Sequence, residues 1–307
     1  MTTLVVLGVL VGAWALLKAR SSRADGHVLR VHPYRRLLWF ITPSRAQASV
    51  SFDMTLDATE LVAWLEEAHP VCGAHMTHAV VAACFTALAE QPRMNRFVAG
   101  HRLYQRHGEW ITFSMKRKRL DREAKVAMVK LRLEPGETFL QLCQRMEGVI
   151  GEQRSGVRTH EDAEYGLFDA LPNALLELVV PLARWLDAHH LLPGFFIEGD
   201  GLFTSLVVAN LGSLGMPAAS HHLYEWGTCG LFVVVGKAEP VPVVEDGQVV
   251  VRQRLQLRWT FDERIDDGLN ARAGLDAVRR VLEHPRAELW GEAPDGSTAP
   301  ALDRGRP

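Results

Sequence analysis

The sequence predicts an α/β domain, and three stretches predict it. Residues 249–261 alternate apolar and polar side chains as a half-buried strand does, and the charges that follow, with Gly268, end the run. Residues 270–282 then place Leu275, Val278 and Leu282 on one helical face, and Pro285 stops the helix because proline has no N–H to continue it. Met76–Glu90 is apolar and Ala-rich, a helix expected at the centre of the core.

The 307 residues carry a formal net charge of -2 and are 48% hydrophobic and 8% aromatic, enough material for one large globular domain. A charge so near neutral gives no support to a nucleic-acid partner. Cys72, Cys84, Cys143 and Cys229 lie far apart with no C-x-x-C pair, so neither a zinc ribbon nor a disulfide framework is indicated, and a reducing compartment fits.

Taken in order, residues 4–17 read L-V-V-L-G-V-L-V-G-A-W-A-L-L, and Lys18, Arg20 and Arg23 follow. That run is shorter than the roughly 20 residues that span a bilayer, but residues 1–19 reach across if Lys18 extends its ammonium to the interface. No positive charge precedes the run and no small-residue cleavage site follows it, so residues 1–19 are expected to be an uncleaved membrane anchor. The positive flank predicts that the domain after it lies in the cytoplasm. Residues 20–32 read as a polar linker, 33–288 as the domain and 289–307 as a disordered tail. Tyr34, Arg35, Arg36, Leu37, Leu38, Trp39 and Phe40 mix basic and bulky apolar side chains, which suits a helix at a membrane interface and equally one packed on the domain.

Within the domain, residues 49–56 alternate like a strand and 58–69 have helical spacing, while 102–105, 110–115 and 125–133 read as further strands. Lys116, Arg117, Lys118 and Arg119, with Asp121 and Glu123 after them, read as a solvated strand end; anionic lipid or a ligand phosphate is the sharper alternative. Pro135 to Thr138 open a helix running through Gly148, with Thr138 as its cap. Residues 167–197 are apolar on most sides and punctuated by Pro172, Pro181 and Pro193, which predicts short helices rather than one span. Core packing is the expectation there, with a lid or a membrane-docking surface as alternatives. His75 and His78 are spaced as a metal pair, but no third ligand lies near them, so ordinary helix-start histidines are expected and no metal site. His189 with His190 and His221 with His222 are two further pairs of unassigned geometry. No internal repeat, phosphate-binding glycine loop or G-x-S-x-G elbow is present.

Asp262, Glu263, Arg264, Ile265, Asp266, Asp267 and Gly268 resemble the D-H-R-x-x-D-G loop of the acyltransferase (E2) catalytic domain of 2-oxo acid dehydrogenase complexes, a relative of chloramphenicol acetyltransferase. Asn210, Leu211, Gly212, Ser213, Leu214 and Gly215 resemble that family's N-L-G-x-x-G turn, and residues 231–237, 243–251 and 284–285 resemble its following strand, hairpin and last helix end. Fainter likeness runs through residues 43–45, 49–53 and 77–81, so the resemblance spans about 33–285.

The resemblance implies a chloramphenicol acetyltransferase-like two-layer sandwich of mixed sheet covered by helices, assembled as a homotrimer with each site between neighbours. It also implies coenzyme A or acyl-coenzyme A as a substrate, with no permanently bound cofactor. Two positions depart from the family. Glu263 stands where the family has the histidine that deprotonates a thiol, and Ala209 stands where it has the hydroxyl that steadies the oxyanion. A carboxylic acid near pKa 4.3 is mismatched to a thiol near 8.5 by about 4 units, roughly 6 kcal/mol, whereas imidazole is short by about 2. A missing oxyanion donor costs a further factor of about 100 to 1,000. Thr204, Ser205 and Ser213 are the hydroxyls near enough in sequence to substitute, and either histidine pair is a source of a replacement base. Asp267 and Gly268 match the family, where the Asp holds the loop through an arginine near the domain start and the Gly permits the turn into the helix; Arg35, Arg36 and Arg45 are the candidate partners. Two functions follow from the resemblance: a divergent acyltransferase using a thioester donor with Glu263 as base, or a non-catalytic relative that keeps the fold for binding or assembly. Neither a lipoyl nor a subunit-binding domain is expected ahead of it, so it does not read as a working E2 core subunit.

Overall fold

The computed structural model describes residues 2–117, 123, 126–155, 171–291 and 295–304. In chain order its main elements are α1 (Thr2–Ala19), β1 (Gly26–Val28), α2 (Pro33–Ile41), β2 (Ser49–Asp57), α3 (Thr59–Cys72), α4 (Met76–Glu90), β3 (Arg96–Ala99), β4 (Arg102–Arg106), β5 (Trp110–Lys116), β6 (Val126–Arg132), α5 (Phe139–Arg154), α6 (Asn173–Ala188), α7 (Gly194–Gly199), β7 (Leu206–Asn210), β8 (Leu231–Val235), β9 (Glu239–Glu245), β10 (Gln248–Asp262) and α8 (Gly268–Glu283).

The alternating run builds β10, around which the main sheet is ordered β2-β10-β8-β7-β5-β6. The first half of β10 pairs with β9 as a hairpin, and its second half lies between β2 and β8. β7 is parallel to both β5 and β8 and the other pairs are antiparallel, so the sheet is mixed. β8 reads L-F-V-V-V and is buried throughout, as a central strand covered on both faces must be. A smaller sheet, β1-β4-β3, stands beside it.

Helices α3, α4, α5 and α8 cover one face, giving the α/β two-layer sandwich that the resemblance implied. Because α4 is apolar on all sides it lies in the middle of that layer, with every residue from His78 to Ala89 buried. The opposite face is covered by the loop between β7 and β8, where Ala218, Leu223 and Cys229 pack on Val207, Phe232 and Val234. Thr138 caps α5 and accepts the N–H of Gln141, as its position before the helix foretold, and the helix continues to Arg154.

Three expectations are corrected. Pro172 and Pro193 precede α6 and α7, but Pro181 sits inside α6 without ending it. It is on an exposed stretch, so the carbonyl that its missing N–H leaves free is not sealed from solvent. Core packing of α6 is also overturned: no residue of this helix is buried. In the expected tail, Leu289 and Trp290 are buried, and Leu302, 1% exposed, is pinned to the start of α5 by its N–H to the Glu137 carbonyl and by the Thr138–Ala301 bridge. Lys118, Arg119, Asp121 and residues 167–170, which carried parts of the basic-cluster and apolar-stretch readings, lie outside the described residues.

Candidate active site

The loop after β10 is held from within. Asp262, 1% exposed, accepts Arg264 through both carboxylate oxygens, at 2.8 Å from Nε and 2.7 Å from Nη2. Arg264 also donates to the carbonyls of Pro43 and Thr42, and its own carbonyl accepts the Trp39 indole N–H at 3.3 Å, which ties the loop to α2 and the chain after it. Ile265 is fully buried beneath. Such a bidentate, mostly buried pair fixes orientation as well as charge.

Asp266 rather than Asp267 makes the arginine contacts expected of this loop. Its carboxylate, 3% exposed, meets Arg35 at 3.5 Å, Arg93 at 3.5 Å and Arg96 at 3.2 Å, and accepts the Asn270 amide at 3.1 Å. Of the three candidate partners, Arg35 belongs here, whereas Arg45 is buried elsewhere and donates to the Tyr224 and Glu225 carbonyls. Asp267 is exposed and caps α8: it accepts the Asn270 backbone N–H at 3.1 Å and side-chain amide at 2.9 Å. That backbone hydrogen bond holds its carboxyl below the usual range. Gly268 has ordinary φ, and an added Cβ would meet open space, so within one chain the turn does not require glycine there.

Glu263 is exposed, its backbone N–H bonded to the Ala48 carbonyl, and its carboxylate has no hydrogen-bond or ion-pair partner among the described residues. Ala209 lies near the end of β7, partly buried, with only a methyl to present. Beside it Asn210 donates to the Thr77 hydroxyl at 2.9 Å and accepts the Ser213 N–H at 3.0 Å, so the turn is closed onto α4. Gly212 is essential to this closure, since a Cβ there would lie 2.2 Å from the Gly236 carbonyl oxygen.

Each of the substitute hydroxyls already donates to a protein oxygen. Ser213 donates to the Asn210 carbonyl, Thr204 to the Trp110 carbonyl, and Ser205 to the Asn95 amide oxygen at 2.5 Å. The histidine pairs are also occupied. His190 is buried against the Tyr104 hydroxyl at 3.2 Å and Arg102 at 3.1 Å, and His189 lies on Trp185. His221 stacks on Phe232 at 4.1 Å. His75 and His78 cap α4 reciprocally, each ring accepting a backbone N–H at the helix start.

Strand register places the two chemical positions relative to each other. Ala209 pairs with Val234, and Val234 with Arg258, whereas Glu263 lies five residues beyond Arg258, past the end of β10. At about 3.3 Å per residue and about 4.8 Å between strands, Glu263 and Ala209 are on the order of 20 Å apart within one chain. The structure therefore does not bring them together. Sequence reasoning missed the Asp266 arginine cluster, whose only local signal was a second acid beside Asp267.

Comparison with known proteins bears on the family and the fold. Residues 201–289 match the family described as 2-oxoacid dehydrogenases acyltransferase (catalytic domain). The chain is similar to the lipoamide acyltransferase component of the branched-chain alpha-keto acid dehydrogenase complex of Pseudomonas aeruginosa, 35% identical over 86 residues, which is 27% of this chain and 19% of that protein. The match therefore spans about a fifth of that relative's length. The fold is similar to that of a probable dihydrolipoamide acetyltransferase from Listeria monocytogenes (TM-score 0.55, 16% identity, 83% of this chain and 93% of that one). It is also similar to a chloramphenicol acetyltransferase (TM-score 0.50, 12% identity, 84% and 99%).

Proposed function

From its place as a divergent member of the 2-oxoacid dehydrogenase acyltransferase family, we propose that this chain is a homotrimeric acyl-thioester-binding domain that does not run the family's thiol chemistry. Its ligand is of the coenzyme A type, seated between neighbouring copies, and residues 1–19 tether the domain to the cytoplasmic side of a membrane. The observation that carries this reading is the state of the two chemical positions: an exposed carboxylate at 263 and a methyl at 209. Position 263 holds a carboxylate in place of the imidazole that takes the thiol proton in the family, and a methyl donates no hydrogen bond to an oxyanion. The separation of the two positions within one chain favours a site completed by a second copy.

A second reading has one observation in its favour. The frame of the loop is intact, with Asp262 locked to Arg264 and Asp267 capping α8, so Glu263 projects from the family's base position. That reading is a divergent acyltransferase with Glu263 as general base.

Calorimetric titration of the full chain with coenzyme A and acetyl-coenzyme A, with thioester consumption followed in the same samples, separates the two. Binding without consumption is expected, and Glu263→Gln is expected to leave binding within about twofold. Consumption that Glu263→Gln abolishes would establish the second reading, and no binding of either ligand would overturn both.

A further inference from the structure

We propose that α6, α2 and the root of α1 form one membrane-facing surface, by which the folded domain lies against an anionic phospholipid bilayer. The inference deepens the tether reading and rests on it. The first observation is α6. It buries no residue, and Leu175, Leu178, Leu182 and Trp185 are all exposed. Their spacing of three, four and three residues puts them on one face of the helix. In α2, Trp39 is buried, but Leu37, Phe40 and Ile41 are 59%, 61% and 63% exposed. In α1 the side chains from Val5 to Leu16 are exposed almost throughout.

These three elements meet at one place, the β3–β4 turn. Phe40 stacks on His101 at 4.6 Å. Arg102 contacts His190 at 3.1 Å and also donates to the Lys18 carbonyl at the end of α1. Gly100 lies so close to the end of α6 that a Cβ would sit 2.2 Å from the Ala188 carbonyl oxygen. Arg20 donates to the His190 carbonyl at 2.8 Å, and Arg23, its side chain 1% exposed, pairs with Asp187 of α6 at 2.7 Å. The end of α1 is thus fixed to the end of α6, and wherever α1 enters a bilayer the α6 stripe is held beside it.

Charge argues for the occupant. Around the junction Lys18, Arg20 and Arg36 are exposed, whereas the nearby acids Asp25 and Asp187 are already paired with Arg23 and Arg106. On α6 itself Glu177 and Arg184 cancel. A cavity of about 340 Å³ opens where α1 leaves the domain, lined by Arg20, Ser22, Arg23 and Gly194 among others, a size and polarity suited to a phospholipid headgroup. Aromatic and aliphatic side chains rimmed by cations are the composition of an interfacial surface. A second copy of the chain would fit the spacing of the α6 stripe, but it would account for neither the exposed apolar face of α2 nor the cations beside it.

Cysteine labelling of the full chain in phosphatidylcholine vesicles containing phosphatidylglycerol tests this. The four native cysteines are buried, so thiols introduced as Leu10→Cys, Phe40→Cys, Leu178→Cys or Val249→Cys take up an environment-sensitive fluorophore selectively. Labels at 10, 40 and 178 should be quenched several-fold more by spin-labelled acyl chains than by aqueous iodide, and the label at 249 the reverse. Replacing phosphatidylglycerol with phosphatidylcholine should weaken the lipid quenching at 40 and 178. Lipid quenching at 10 with iodide quenching at 40 and 178 would overturn the surface and leave the tether standing. A label at 178 shielded from both quenchers, with oxidative cross-linking of two copies through that cysteine, would overturn it in favour of a second copy. Iodide quenching at 10 would refute the tether itself, and the surface falls with it only if 40 and 178 are also in water.

Discussion

Asp266 and Asp267 stand side by side with different roles. The sequence register assigns the loop-holding function to Asp267, because that residue aligns with the family's D-G. Burial assigns it to Asp266, which faces three arginines while Asp267 caps a helix. Removing one member of a buried charge cluster leaves its partners uncompensated, so Asp266→Asn is expected to cost about 3–5 kcal/mol. Asp267→Asn should cost only a few tenths, because asparagine caps as well as aspartate. Urea denaturation of both variants checks this, and equal losses would show that the roles are shared. The buried histidines make a second prediction at this scale. Burial, followed by the neighbouring His75 charge, pushes His78 down to about 4, and burial, followed by Arg23 and Arg102, pushes His190 down to about 4. Both stay neutral in the folded chain while the unfolded chain takes up a proton near pH 6.5, so their contribution is whole above about 6.5 and is lost as pH falls towards 4. The denaturation midpoint should therefore drop across that window. His78→Gln, which keeps an acceptor at the third helix position, should make the drop shallower; an unchanged slope would remove His78 from the account.

Elements were legible where a local period decides them. The alternation of β10, the all-apolar α4, and Thr138 before α5 each appear in the structure as the sequence implies, because a strand, a buried helix and a cap are specified by neighbours within a few residues. What was not legible depended on distant partners. Leu302 sits in a stretch whose Pro, Gly and Ser content reads as disorder, and its burial follows from a bridge between Ala301 and Thr138, more than 160 residues away. The same composition that favours disorder is overridden by one well-placed leucine and the nearby Trp290. Leu302→Ala should accordingly cost about 2–4 kcal/mol by urea denaturation, whereas a free tail would show no change. α6 is the opposite case. Its apolar sequence reads as core, yet the sheet face opposite the helices is already filled by the β7–β8 loop.

At the scale of the whole molecule, the sequence brought the two chemical positions to notice, but strand register shows that one chain cannot unite them. Glu263 lies past the far end of β10 and Ala209 near the end of β7, on the order of 20 Å apart. A site containing both must take position 263 from one copy and position 209 from another. This makes the restored chemistry a test of assembly. Glu263→His and Ala209→Ser are each expected to be inactive or nearly so, since each restores one half of the thiol chemistry, and the double variant is expected to gain coenzyme A-dependent acyl transfer. When the two single variants are unfolded, mixed in equal amounts and refolded, random assembly around a cyclic interface places both groups at about a quarter of the sites. Activity in that mixture should approach about a quarter of the double variant's. If the site instead lay within one chain, the mixture would be as inactive as its parents while the double variant worked, and the intersubunit site would be refuted. Sedimentation of the refolded mixture as a trimer ties the result to the assembly that the proposal requires.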